Sequence, residues 1–90
     1  MELLQIRDKI DAVDKQLVEL FCARMELCAE IAQVKKQQGL PVLDSTREQQ
    51  KLQAVAALAA PQHQQAVQQL YGSIFSLARA YQQALLEEES

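Results

Sequence analysis

Residues 2–38 read ELLQIRDKIDAVDKQLVELFCARMELCAEIAQVKKQQ, and the spacing of their apolar positions decides the fold. Leu3, Ile6, Ile10, Val13, Leu17, Leu20, Leu27, Ile31 and Val34 follow one another at helical intervals, with Arg24 filling the place between Leu20 and Leu27. Such a pattern marks one buried face and predicts a single helix from about Glu2 to Gln38. Gly39 is placed for its C-terminal cap, and Pro41 follows as a stop. Arg24 stands where the pattern demands Leu or Ile, and a charge is rarely buried without a partner. Lys35 lies about three turns further on and only about 20° round the helix from it. Two cations fixed on an inward face suggest a site for an anion.

The rest of the chain continues the helical reading. Gly and Pro number two each among 90 residues, so little interrupts the helix-forming Ala, Leu, Gln, Glu and Lys. A second helix is predicted over about 44–59, with Ser45 and Glu48 spaced as a capping box and Leu52, Val55, Ala56 and Ala59 on its apolar face. Pro61 separates it from a third, over about 62–87, which carries Val67, Leu70, Tyr71, Ile74, Phe75, Ala78, Tyr81 and Leu85 at helical spacing. The acidic tail Glu87 to Ser90 is expected to be solvated and to fray.

Composition narrows the function. A net charge of −3 with scattered cations argues against nucleic-acid binding. No apolar run reaches membrane-spanning length, and the N-terminus passes directly into an amphipathic pattern. Cys22 and Cys28 fall about 120° apart on one helix and cannot bridge, which fits a reducing cytoplasm. One His and no Cys-x-x-Cys pair give no basis for a metal site.

Length adds a constraint. A helix of about 37 residues is about 55 Å long, whereas a compact chain of this size has a radius of gyration near 12 Å. The first helix must therefore protrude, and two shorter helices cannot cover its seam. A symmetric dimer in which two long helices cover each other is the simplest remedy.

Several polar residues break the inward pattern. Glu48 shares a face with Leu52, Val55 and Ala59; Gln82 continues the line of Tyr71, Phe75 and Ala78; Arg7 falls near the seam at its other end. Each has a structural explanation. Arg24 can set register in a coiled coil, Lys35 can complement a helix dipole, and Glu48 can complete the capping box. Gln82 and Arg7 can be ordinary surface residues. Their value lies in occurring together.

In order and spacing, Arg7, Arg24, Lys35, the segment Asp44-Ser45-Thr46-Arg47-Glu48, and Gln82 within Ala78-Arg79-Ala80-Tyr81-Gln82 resemble the all-helical chorismate mutase family. The likeness extends to the opening Ile6-Arg7-Asp8-Lys9-Ile10-Asp11-Ala12-Val13-Asp14, to Arg24-Met25-Glu26-Leu27 and to Pro41-Val42, and covers nearly the whole chain. It implies an all-α fold, a single chorismate mutase domain over 1–90, and an interlocked homodimer of three-helix chains in the cytoplasm. Arg7 is implied to enter the partner's site. Arg7 and Lys35 are about 42 Å apart along one helix, so they can meet on one small ligand only in an antiparallel pair.

The implied reaction, chorismate to prephenate on the route to phenylalanine and tyrosine, is a pericyclic rearrangement of one dianionic substrate that requires no cofactor, nucleophile or base. By resemblance, Arg24 and the second chain's Arg7 clamp the carboxylates, while Lys35 and Gln82 donate to the ether oxygen as it gains charge. Glu48, with the Asp44 region, holds the ring hydroxyl, and Arg47 supports a carboxylate at the mouth. Ala78 departs from the family, which usually has serine there to bond a substrate carboxylate; weaker substrate binding is the expected consequence. Two rivals stand beside it: an isochorismate-pyruvate lyase of the same fold, whose pattern lacks the glutamate after the loop arginine, and, from another class, a non-catalytic helical dimer serving as an interaction module or a degenerate regulatory domain. Arg47-Glu48 disfavours the first, and the retained cations and Gln82 disfavour the second.

Overall fold

The computed structural model describes residues 2–89 as helices α1 (Glu2–Gln38), α2 (Ser45–Leu58) and α3 (Gln64–Glu89), with one 3-10 turn, Pro61–His63, leading into α3. No strand occurs among the described residues. Met1 and Ser90, the ends of the expected 1–90 unit, lie outside them. Glu87 and Glu88 remain helical and exposed, so α3 runs further than the predicted end, and the fraying expected at Ser90 falls on an undescribed residue.

Local chemistry sets each boundary. Gly39 adopts a left-handed φ of 69°. Leu40 N–H then donates to the Lys35 carbonyl at 2.8 Å and Gly39 N–H to that of Lys36 at 3.2 Å. This pair of bonds is a Schellman cap, which satisfies the last carbonyls of α1 and turns the chain back across its end. Val42 is thereby buried.

The N-cap of α2 is Asp44, whose Oδ1 accepts from the Arg47 N–H at 3.0 Å. The predicted capping box between Ser45 and Glu48 is not formed. Ser45 is already the first helical residue, and the Asp44 carboxylate, an acceptor well suited to the positive helix end, takes the free N–H. Glu48 is released from any capping duty. Helix α2 stops at Leu58 because Ala59 and Ala60 are extended before Pro61, as the residue ahead of a proline prefers.

The helices run up, down and up. Along α1 and α3, Arg24 meets Tyr71 and Phe75 while Cys28 meets Gln82, so the two advance in the same sense. Along α2 and α3, Glu48 meets Arg79 while Leu52 meets Gln68, the opposite sense. Val55, Ala56, Phe75 and Ala78 are buried where α2 and α3 pack, as their spacing predicts, whereas Leu70 stays exposed.

Within one chain, α1 packs through a stripe other than its seam. Cys28 and Ala32 are its buried residues, and their small side chains let α3 approach closely. The centre of this stripe lies on average about 110° round the helix from the neighbouring seam residues Leu20, Leu27, Ile31 and Val34. The nine large apolar seam residues remain 48 to 69% exposed. Residues 2–20 are exposed along their whole length. The radius of gyration is 16.3 Å and the longest dimension 55 Å, so α1 does protrude.

Candidate active site

Arg24 is half-buried. Its guanidinium carbon lies 5.6 Å from the ring centroids of both Tyr71 and Phe75, and Nη1 points to the Cys28 Sγ at 3.6 Å. The two rings meet edge to face at 5.9 Å and 69°. The arginine is thus held by aromatic faces and a thiol rather than by a carboxylate. Ring quadrupoles orient a guanidinium without cancelling its charge.

Lys35 is half-buried one turn from the end of α1, and its Nζ donates to the Val42 carbonyl at 2.8 Å. That carbonyl is delivered by the Schellman turn. An ammonium has three donors, so two remain.

Gln82 is 6% exposed and is the buried polar side chain of the described core. Its Nε2 donates to the Cys28 carbonyl at 2.7 Å. A carbonyl can only accept, so the amide nitrogen must face it, which fixes the orientation of the amide. Cys28 lies about 6 Å beyond Arg24 along the α1 axis and about 10 Å before Lys35. The amide therefore docks between the two cations, with one N–H to spare.

Glu48 is half-buried on α2 and is bound across to α3: Nη1 of Arg79 lies 2.5 Å from both Oε1 and Oε2. Nη2 of the same arginine reaches the Ser76 Oγ at 3.4 Å. Ala78 is buried one turn before Gln82. Asp44 and Arg47 are exposed at the start of α2, and Asp44 is engaged as the cap. Arg7 is exposed on the protruding half of α1, about 42 Å along the axis from Lys35.

The fold thus anchors Arg24, Gln82 and Glu48 through contacts between helices and Lys35 through the turn after α1, and leaves Arg7 remote. Arg79 escaped the sequence reading, although it stands four residues after Phe75 and three before Gln82, beside two inward-facing positions. Tyr71 and Phe75 were legible as apolar residues but not as the bed for Arg24. No local pattern points to the Val42 carbonyl.

Two open grooves flank the cations. One, about 420 Å³, is lined by Arg24 with Leu17, Phe21, Tyr71, Ile74 and Leu77 among others; the other, about 560 Å³, by Lys35 with Leu27, Ile31, Val34 and Leu40 among others. Seam residues form much of both walls, and neither includes Glu48 or Gln82. The donors of a single chain therefore sit on an open ledge. Among the described residues, no group of three or more His, Cys, Asp or Glu is placed to hold a metal ion. No described helix is long and apolar enough to cross a membrane.

The described residues thus form an all-helical chain that holds two cations and an amide donor on aromatic and backbone groups along one open side. The chain belongs to the chorismate mutase type II family, whose model matches residues 6–83. It is 34% identical over 88 residues to the bifunctional chorismate mutase/prephenate dehydratase of Escherichia coli (strain K12), an alignment covering 96% of this chain and 23% of that protein. It is 49% identical over 47 residues to the T-protein of Enterobacter agglomerans, covering 52% of this chain and 13% of that one. With the chorismate mutase of Methanocaldococcus jannaschii it shares 38% over 47 residues, 52% of this chain and 48% of the relative. The chain thus spans less than a quarter of the T-protein and of the bifunctional enzyme.

Proposed function

We propose that this chain is a chorismate mutase, converting chorismate to prephenate for phenylalanine and tyrosine biosynthesis as a cytoplasmic homodimer. The observation that carries the reading is the buried Gln82 amide, docked on the Cys28 carbonyl between Arg24 and Lys35 with a donor left over. Family membership supplies the substrate class.

The chemistry asks little of side chains as reactants. One carbon–oxygen bond breaks and one carbon–carbon bond forms within the same molecule, with no proton to move. The protein must hold the substrate in its compact conformer and meet charge where it develops. Arg24, already oriented by Tyr71 and Phe75, binds one carboxylate with its planar fork. Lys35 and Gln82 donate to the ether oxygen as the bond lengthens; their anchors, the Val42 and Cys28 carbonyls, are backbone atoms that need not reorganise during reaction. Glu48 accepts from the ring hydroxyl, with Asp44 and Arg47 at the rim. Ala78 offers no hydroxyl, so one carboxylate contact common in the family is absent.

Arg7 completes the set from a second copy. The seam of α1 is exposed, and an antiparallel partner helix laid along it closes the ledge and brings the far arginine to Lys35. The free thiols of Cys22 and Cys28 accord with the cytoplasm.

Product analysis with chorismate, and separately with isochorismate, tests the reading. Prephenate from chorismate is the expected result. Pyruvate and salicylate from isochorismate, with little prephenate, would assign the lyase instead, and turnover of neither by a folded dimer would leave a regulatory module.

A further inference from the structure

Glu48 faces a conflict if it receives the ring hydroxyl of a dianion. It must present a carboxylate to a molecule of the same sign, and like charges brought close repel. It must also point in one direction, although a glutamate at the mouth of a site has several rotamers and water to turn to.

The structure resolves both difficulties with one residue. Arg79 Nη1 lies 2.5 Å from both Glu48 oxygens, joining α2 to α3 across 31 residues of sequence. Its Nη2 is steadied by the Ser76 Oγ at 3.4 Å, one turn back on α3. The side chains of the pair are 33% and 24% exposed, so water screens the interaction only in part. A carboxylate has about four acceptor sites, so one lone pair on each oxygen remains after Arg79 is served.

We infer that Arg79 is a positioning residue: it aims the Glu48 carboxylate at the ring hydroxyl and cancels its charge towards the dianion. Arg79 does not touch the reacting atoms. Without it, Glu48 swings to solvent and subtracts from the field of Arg24 and Lys35. The effect falls on substrate binding rather than on the bond-breaking step. The inference rests on the mutase reading and on Glu48 as hydroxyl acceptor.

Steady-state kinetics on chorismate, with circular dichroism and thermal melts as controls, test it in four variants. Arg79→Met keeps an unbranched side chain of similar helix propensity and removes the guanidinium. It is expected to raise KM about five- to tenfold and to leave kcat within about twofold, as loss of one charge-assisted contact implies. Arg79→Lys, which keeps the charge but not the fork, recovers most of that loss. The double variant Arg79→Met/Glu48→Gln has a KM no higher than Glu48→Gln alone, because a neutral amide has no charge to cancel. A lowered melting temperature with unchanged KM would make the pair merely structural and overturn the inference. So would an equal KM penalty for Arg79→Met in the Glu48→Gln background, which would mean that Arg79 binds substrate directly. A parent enzyme that forms no prephenate would defeat the mutase reading itself and the inference with it, an outcome distinct from an active parent indifferent to Arg79→Met.

Discussion

A cation bedded on aromatic rings keeps its charge available to a ligand, whereas one paired with a carboxylate has spent it. Arg24 on Tyr71 and Phe75 is of the first kind, and Lys35, held by the neutral Val42 carbonyl, likewise keeps its charge. Lys35→Ala is therefore expected to lower kcat by about 10²–10³, the usual cost of removing one donor to developing charge, while circular dichroism shows unchanged helix content and sedimentation an unchanged mass. Near-normal turnover by that variant would remove Lys35 from the chemistry. Gln82→Glu replaces the amide donor with a carboxyl that donates only when protonated. An ordinary glutamate titrates near 4.3, and burial and the nearby Cys28 carbonyl both disfavour its charged form. Activity of the variant should be confined to acidic pH and decline as pH rises and the introduced carboxyl ionises. A pH–rate profile parallel to the parent's would contradict the donor role. Ala78→Ser is expected to lower KM about fivefold with little change in kcat, the scale of one regained hydrogen bond. Arg24 and Gln82 were legible because each breaks an apolar period, where a charge or amide on an inward line needs a reason; Lys35 was legible by its place beside Arg24, and Ala78 by its departure from the family the chain resembles. Arg79 was not legible in that way. It borders the inward line of α3, and its partner Glu48 was locally accounted for by Ser45, so only the packing of α2 on α3 reveals the pair.

At the scale of elements, α1 could be read to the residue because its signals agree: the three–four spacing runs unbroken to Val34, and Gly39 and Pro41 stop it. The start of α2 could not, since Asp44 and Ser45 are adjacent and both are good N-caps. Spacing alone chose serine through Glu48; the structure chose aspartate, whose carboxylate takes the Arg47 N–H. Asp44→Ala should cost about 1 kcal/mol in urea unfolding, the normal worth of an N-cap, whereas Ser45→Ala should be nearly neutral. The reverse order would restore the capping box. Gly39 admits a similar test. A Cβ there would meet nothing within 4 Å, so Gly39→Ala incurs only the backbone cost of its φ of 69°, about 1–2 kcal/mol. Seam and inner stripe show the limit of a pattern. The periodicity of α1 identified an apolar face, yet α3 docks on Cys28 and Ala32, where side chains are small enough to admit it. Hydrophobicity says that a face will be covered; side-chain size decides which neighbour comes close.

At the scale of the whole molecule, a radius of gyration of 16.3 Å against about 12 Å for a compact chain of this length describes a protein whose longest helix lacks cover within its own chain. Length against helix count made this legible in the sequence. The placement of the proposed second copy was not, because it depends on how two chains fit rather than on any local spacing. Leu20, 69% exposed, discriminates between a lone chain and a pair. Replacing an exposed leucine on a monomer is nearly neutral, within about 0.5 kcal/mol, whereas a lysine at the centre of a helical interface breaks it. Leu20→Lys is expected to sediment as a monomer and to lose activity. The shared site has a more direct test. Arg7→Ala and Lys35→Ala chains, each inactive alone, are unfolded together in equal amounts, refolded, and assayed for prephenate formation. If each site takes Lys35 from one chain and Arg7 from the other, half of the dimers are mixed and each has one intact site, restoring about a quarter of parent activity. Mixed dimers that form and yet show no recovery would mean that both residues serve a site within one chain, and the account of a shared site would be wrong.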